Sequence, residues 1–178
     1  RVSRDFRRDG EGRSHAGGEE TELMGRSAEI AELRAALASA TAGAGRVAAV
    51  LGEAGIGKSR LVIELAGDAA RSGVTVLLGR AYESEQILPF GPWVDALRAS
   101  RAADDSALLE RLGALRPELA RLLPEIGGAA TGGTMEVAPV FESVTQLIGH
   151  LARGRPVLVI LEDLHWADEM SARLFAFV

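Results

Sequence analysis

One octapeptide carries the clearest chemistry in the chain: Gly52-Glu53-Ala54-Gly55-Ile56-Gly57-Lys58-Ser59, with Arg60 directly behind it. It fits the phosphate-binding pattern G-x-x-x-x-G-K-[ST] without deviation. Glycines let successive backbone N–H groups turn inward around a phosphate chain, and a helix opening after the loop points its positive end at the same place. The Lys58 ammonium suits the β and γ phosphates, and the Ser59 hydroxyl suits Mg²⁺. A chance glycine-rich turn is the competing reading, since the chain has 21 glycines. Against it stands the context, a strand-like apolar run before the motif and a helical pattern after it. Lys58 is also the only lysine, the other basic residues being arginines. Where arginine serves everywhere else, the remaining lysine points to a position that needs a compact ammonium.

A second candidate is Glu162-Asp163, directly after the apolar run 157–161. Carboxylates at the end of a buried parallel strand, beside a phosphate loop, are placed to serve Mg²⁺ and an attacking water. An ordinary polar strand exit would look the same, and the phosphate loop tips the balance. Which carboxylate serves the metal and which the water stays open.

The elements that must position these groups are legible from periodicity. Ser27 can cap a helix with Ile30, Leu33 and Leu37 on one face. Residues 40–45 read as a loop and 46–51 as a strand stopped by Gly52. Leu61, Val62, Leu65 and Ala69 line a helix that Gly73 ends. The run 74–78 reads as a second strand. Strand, helix, strand is a βαβ unit, which predicts a parallel sheet. Prolines then divide the middle into short helical pieces, including 107–115 and 118–123, and 127–133 is a glycine-rich loop. A longer helix presents Val140, Phe141, Val144, Leu147, Ile148 and Leu151. A third strand follows at 157–161, and 171–178 reads as an unfinished helix that Asp168 or Ser171 can cap. The fold class is α/β, a parallel sheet flanked by helices.

Composition narrows the function classes. The 178 residues carry 20 basic and 25 acidic side chains, a formal charge of -5, with 47% hydrophobic residues. That acidic balance argues against bulk-charge binding to nucleic acid or anionic membrane. Without cysteine, these residues hold no disulfide, cysteine-ligated zinc or thiol nucleophile. No apolar run approaches the roughly 20 residues of a membrane span, and a cytoplasmic location is expected. Residues 1–21 mix arginines with acids and little that is apolar, so they read as a flexible tail. The basic-arm alternative is weakened by the interspersed Asp and Glu.

Further blocks carry a family resemblance: Leu23-Met24-Gly25-Arg26, Gly79-Arg80-Ala81-Tyr82, Pro89-Phe90-Gly91-Pro92-Trp93, and Glu162-Asp163-Leu164-His165-Trp166-Ala167-Asp168. With the phosphate loop, over 22–178, they resemble the N-terminal ATPase module of LuxR-type ATP-binding transcriptional regulators and related cyclase-fused bacterial regulators. These are signal-transduction (STAND) ATPases within the AAA-like P-loop superfamily. The resemblance implies ATP and Mg²⁺ as cofactors and a slow ATPase switch. Its partners would be downstream effector domains of a longer chain, with ATP-dependent self-association and no direct DNA contact in this segment. Met24, Gly25 and Arg26 would lie near the adenine, although a plain loop into the first helix reads equally well. Trp93, Tyr82 and Phe90 read as packing residues. His165 is either a structural hydrogen-bonder or a γ-phosphate sensor. Two departures stand out. The family's first acid is usually Asp, for Mg²⁺, and its second is the base; here they are Glu162 and Asp163. The family also places a further strand between the phosphate-loop strand and the acidic strand, which would fall after position 178. The domain is thus expected to be partial. A metabolic P-loop phosphotransferase and an inactive fragment are the alternatives to the switch.

Overall fold

Two short runs of Val, Leu and Ile make the sheet. In the computed structural model, which describes residues 26–85, 88–127 and 135–178, strand β1 (Thr75–Arg80) pairs in parallel with β2 (Val157–Glu162). The expected tail 1–21, Leu23, Met24, Gly25 and residues 128–133 of the glycine-rich stretch lie outside the described residues. Thr75 stands opposite Val157 and Arg80 opposite Glu162. The Thr75 N–H donates to the Pro156 carbonyl at 2.8 Å and the Ala81 N–H to the Glu162 carbonyl at 3.0 Å, so the ladder is closed at both ends.

Helices α1 (Ser27–Thr41) and α2 (Lys58–Arg71) precede β1. The crossover to β2 consists of α3 (Gly91–Arg98), α4 (Ser106–Leu112), α5 (Arg116–Leu122) and α6 (Val137–Gly154), joined by short 3-10 turns, and α7 (Glu169–Phe177) follows β2. Because strand side chains alternate, the sheet has two different faces. Leu77, Val157, Val159 and Leu161 pack into the larger core with Trp93, Leu108, Leu119, Phe141, Leu147 and Leu174, drawn from α3 to α7. Leu158 points the other way and packs with Leu61 and Leu65 of α2, Ile30 of α1 and Val50. The helical periodicities read from sequence correspond to these faces: Leu61, Leu65 and Ala69 are buried on α2, and Val140, Phe141, Val144 and Leu147 on α6.

The predicted first strand does not form. Residues 46–51 carry no regular structure, with Val47 80% and Leu51 87% exposed. A strand is held by a neighbour's N–H and C=O groups as much as by its own propensity. The only sheet among the described residues is β1 with β2, which offers this segment no ladder. The expected βαβ unit around α2 is therefore absent, and the parallel pair is instead connected through α3 to α6. Two smaller readings also change. Ser27 is the first helical residue, and Arg26 takes the N-cap position without a side-chain cap. Tyr82 is 45% exposed, whereas Phe90 and Trp93 are buried as expected.

The approach of α3 to β1 depends on one glycine. A Cβ on Gly79 would lie 1.7 Å from the Pro92 carbonyl oxygen, a backbone atom that no rotamer change can move. Gly79→Ala must push α3 off the sheet. It should cost about 3 kcal/mol or more, read as a lowered urea midpoint; an unchanged midpoint would contradict this packing.

Candidate functional site

Two glycines shape the loop. Gly55 and Gly57 have φ of +77° and +93°, the left-handed region that other residues enter only with strain. Gly57 is the N-cap of α2, a 14-residue helix with no side-chain cap and no acid in its first turn. Glycine offers its leading N–H groups no capping side chain, and no carboxylate of the helix's own first turn offsets the positive end of its dipole. Such an end favours an anion. Gly52, Glu53, Ala54, Ile56 and Arg60 are exposed, while Lys58 and Ser59 are half-buried at the helix start. The Lys58 Nζ donates to the carbonyls of Gly52 at 2.8 Å and Glu53 at 2.9 Å, which folds the ammonium back over its own loop.

Helix α2 is held from both sides. Leu61 and Leu65 bury against the sheet and α1. On the outer side Arg34 of α1 bonds Asp68 (Nε to Oδ2, 2.6 Å) and Glu64 (Nη2 to Oε1, 3.2 Å), and Arg71 makes a second contact with Asp68. The Arg34 hydrogen bond holds the Asp68 carboxyl below its ordinary range.

The acidic pair sits where the sheet ends. Glu162 is the last residue of β2 and is buried, 9% exposed. Arg80, opposite it on β1, donates from Nη2 to Oε2 at 2.7 Å, and its Nε lies 3.5 Å from Asp163 Oδ2. The hydrogen bond to Glu162 raises the Arg80 guanidinium above its usual value, although burial acts the other way. Asp163 adopts a left-handed backbone (φ 56°, ψ 38°), which Asp tolerates better than most residues. It turns the chain out of the strand into the 3-10 turn Leu164–Trp166. Glu162 lies four residues beyond Leu158, so alternation puts it on the face of the sheet that carries α2.

The structure thus puts α2, which opens with Lys58 and Ser59, on the face of the sheet from which Glu162 rises. It also gives each charge a local partner: loop carbonyls for Lys58, and Arg80 for Glu162 and Asp163. The other expected residues fall differently. Arg26 caps α1 through its carbonyl, which accepts the Ile30 N–H at 3.2 Å. His165 is exposed and its ring lies 4.8 Å from that of Trp166. Asp168 caps α7 by accepting the Ser171 N–H at 2.9 Å, and it also accepts the Phe90 N–H at 3.0 Å. Trp93 Nε1 donates to the Ser171 carbonyl at 3.0 Å, so the blocks around Trp93 and Trp166 form one structural joint. Sequence reasoning gave Arg80 no role. It stood there only as part of the block 79–82 at the end of an apolar run, and becomes telling once the register sets it against Glu162.

The donor set suits a nucleotide with Mg²⁺. A helix start without a side-chain cap, an ammonium and a hydroxyl suit a triphosphate's chemistry. Among the described residues no three His, Asp or Glu gather as a metal cage. Mg²⁺ is ordinarily held by one or two carboxylates together with substrate phosphates. No helix among the described residues is long and apolar enough to cross a membrane. In comparisons with known proteins, the family model described as AAA ATPase domain matches residues 22–178. No curated protein and no solved structure matches the chain.

The clasp on α2 has a pH signature. A carboxyl with a depressed folded pKa gives stability above its unfolded value, near 3.9, and loses it as pH falls through the folded value. Acid unfolding of the wild type should therefore include a loss below about pH 4 that Asp68→Asn lacks. Parallel stability curves for the two proteins would contradict the Arg34–Asp68 contribution.

Proposed function

The chain belongs to the AAA ATPase domain family, and we propose that it binds ATP with Mg²⁺ through residues 52–60 and acts as a nucleotide switch in a bacterial transcriptional regulator. One observation carries the nucleotide reading. The left-handed glycines at 55 and 57 deliver the chain into the uncapped, acid-free N-terminus of α2, with Lys58 and Ser59 in its first turn. In this reading Lys58 leaves its loop carbonyls to face the β and γ phosphates, and Ser59 turns its hydroxyl to the metal. Glu162 serves the metal side and Asp163 orients and deprotonates water, following the order of the family's acidic pair. Mg²⁺, when bound, supplies charge neutralisation at the phosphates. Arg26 is assigned to the adenine side, as the resemblance of the block 23–26 implies.

The regulatory part of the proposal is supported by the blocks at 23–26 and 162–168, which resemble LuxR-type regulators. Nucleotide state then biases the arrangement of effector domains in a longer chain, with slow hydrolysis and ATP-dependent self-association as parts of the same cycle. A cytoplasmic setting and the lack of direct DNA contact in this segment follow from that role. A second reading, a fragment that does not turn over nucleotide by itself, is favoured by the exposed, unladdered segment 46–51.

Calorimetric titration with Mg-ATP tests the site. Lys58→Ala should weaken binding by about tenfold or more, the scale of one hydrogen bond to a charged group, and unchanged affinity would overturn the loop assignment. Asp163→Asn should keep binding and lose turnover. If Glu162→Gln shows that pattern instead, the two carboxylates exchange roles.

A further inference from the structure

The last ladder position of the sheet sets three charges side by side. Arg80 and Glu162 are register partners, so both side chains rise from the same face. The guanidinium holds Glu162 Oε2 at 2.7 Å with Nη2 and lies 3.5 Å from Asp163 Oδ2 with Nε. Its planar fork spans the two acids, which an ammonium, as a point charge, does less well. The Glu162 side chain is 8% exposed and that of Arg80 is 39% exposed. A carboxylate that deep is tolerated because it is paired. Arg80 has an outward path that Glu162 lacks.

We infer that Arg80 is a positioning residue that competes with the divalent cation for Glu162 and Asp163, so that metal enters by displacing the guanidinium. This rests on the reading of the two carboxylates as the metal side of the nucleotide site. The competition is electrostatic. One guanidinium against two carboxylates leaves a net charge of -1 at the cluster, and a divalent cation in its place leaves none. A guanidinium 2.7 Å from a carboxylate oxygen occupies the space that a metal ion needs to approach that oxygen. Two cations on the same oxygens also repel at short range. The ladder fixes both backbones, and the more exposed Arg80 side chain is the group that moves. Arg80 thereby sets how much metal the site needs before the acids are released.

Mn²⁺ titrated into the full 178-residue chain, with free ion read by electron paramagnetic resonance, tests this without any turnover assay. Arg80→Gln should bind Mn²⁺ about tenfold more tightly than wild type, the scale of one lost charge-assisted hydrogen bond. Arg80→Lys should shift in the same direction by less. Glu162→Gln should weaken binding. Unchanged or weaker binding in Arg80→Gln, with Glu162→Gln still weakened, overturns the role of Arg80 and leaves the acidic metal site standing. Equal binding by wild type and Glu162→Gln overturns the metal-site reading itself. If circular dichroism finds Arg80→Gln unfolded, Arg80→Lys decides, and an affinity at or below wild type overturns the proposal.

Discussion

Two hydrogen-bonded strands of six residues each position every other part of this molecule. Their parallel register is what brings residue 80 to residue 162, and their alternation is what separates the helices into two layers. On one face, Leu77, Val159 and Leu161 anchor a core assembled from α3 to α7. On the other, Leu158 anchors α2 and, through it, α1 and the loop. The ladder tolerates little interference: Gly79 lets the Pro92 backbone come close enough that even a methyl group would collide. Remove the register and neither the acidic pair nor the loop helix has a defined place.

The proposed nucleotide site has a positive and a negative pole. The positive one is made by backbone N–H groups at the start of α2 together with Lys58, and its ammonium rests on two carbonyls of its own loop. The negative one is Glu162 with Asp163, both in contact with Arg80. The charged side chains of each pole have partners within the protein, as buried or half-buried charge must.

Much of this was legible in the residues. The phosphate loop is a local signal, since the glycines and the lysine-serine pair state their backbone and charge requirements at fixed spacing. Helical faces such as Leu61, Leu65 and Ala69 were equally readable, because burial follows their period. Residues 46–51 misled for the opposite reason. Their propensity is β, yet a strand is completed by a neighbour, and sequence alone does not say which neighbour is available. Arg80 was named within the block 79–82 but given no role, because its partner lies 82 residues away, in a register that local pattern does not encode. Asp168 was read correctly as a helix cap, but its bond to the Phe90 N–H joins segments that no periodicity links.

A thermal melt of the chain with and without saturating Mg-ATP tests the central claim most directly. At one hundred times the dissociation constant, a ligand specific for the folded state adds about 2.7 kcal/mol, or about 5–10 °C at this chain length. A cooperative transition that rises by that amount with Mg-ATP is the expected result. A cooperative transition at the same temperature with and without Mg-ATP would contradict it.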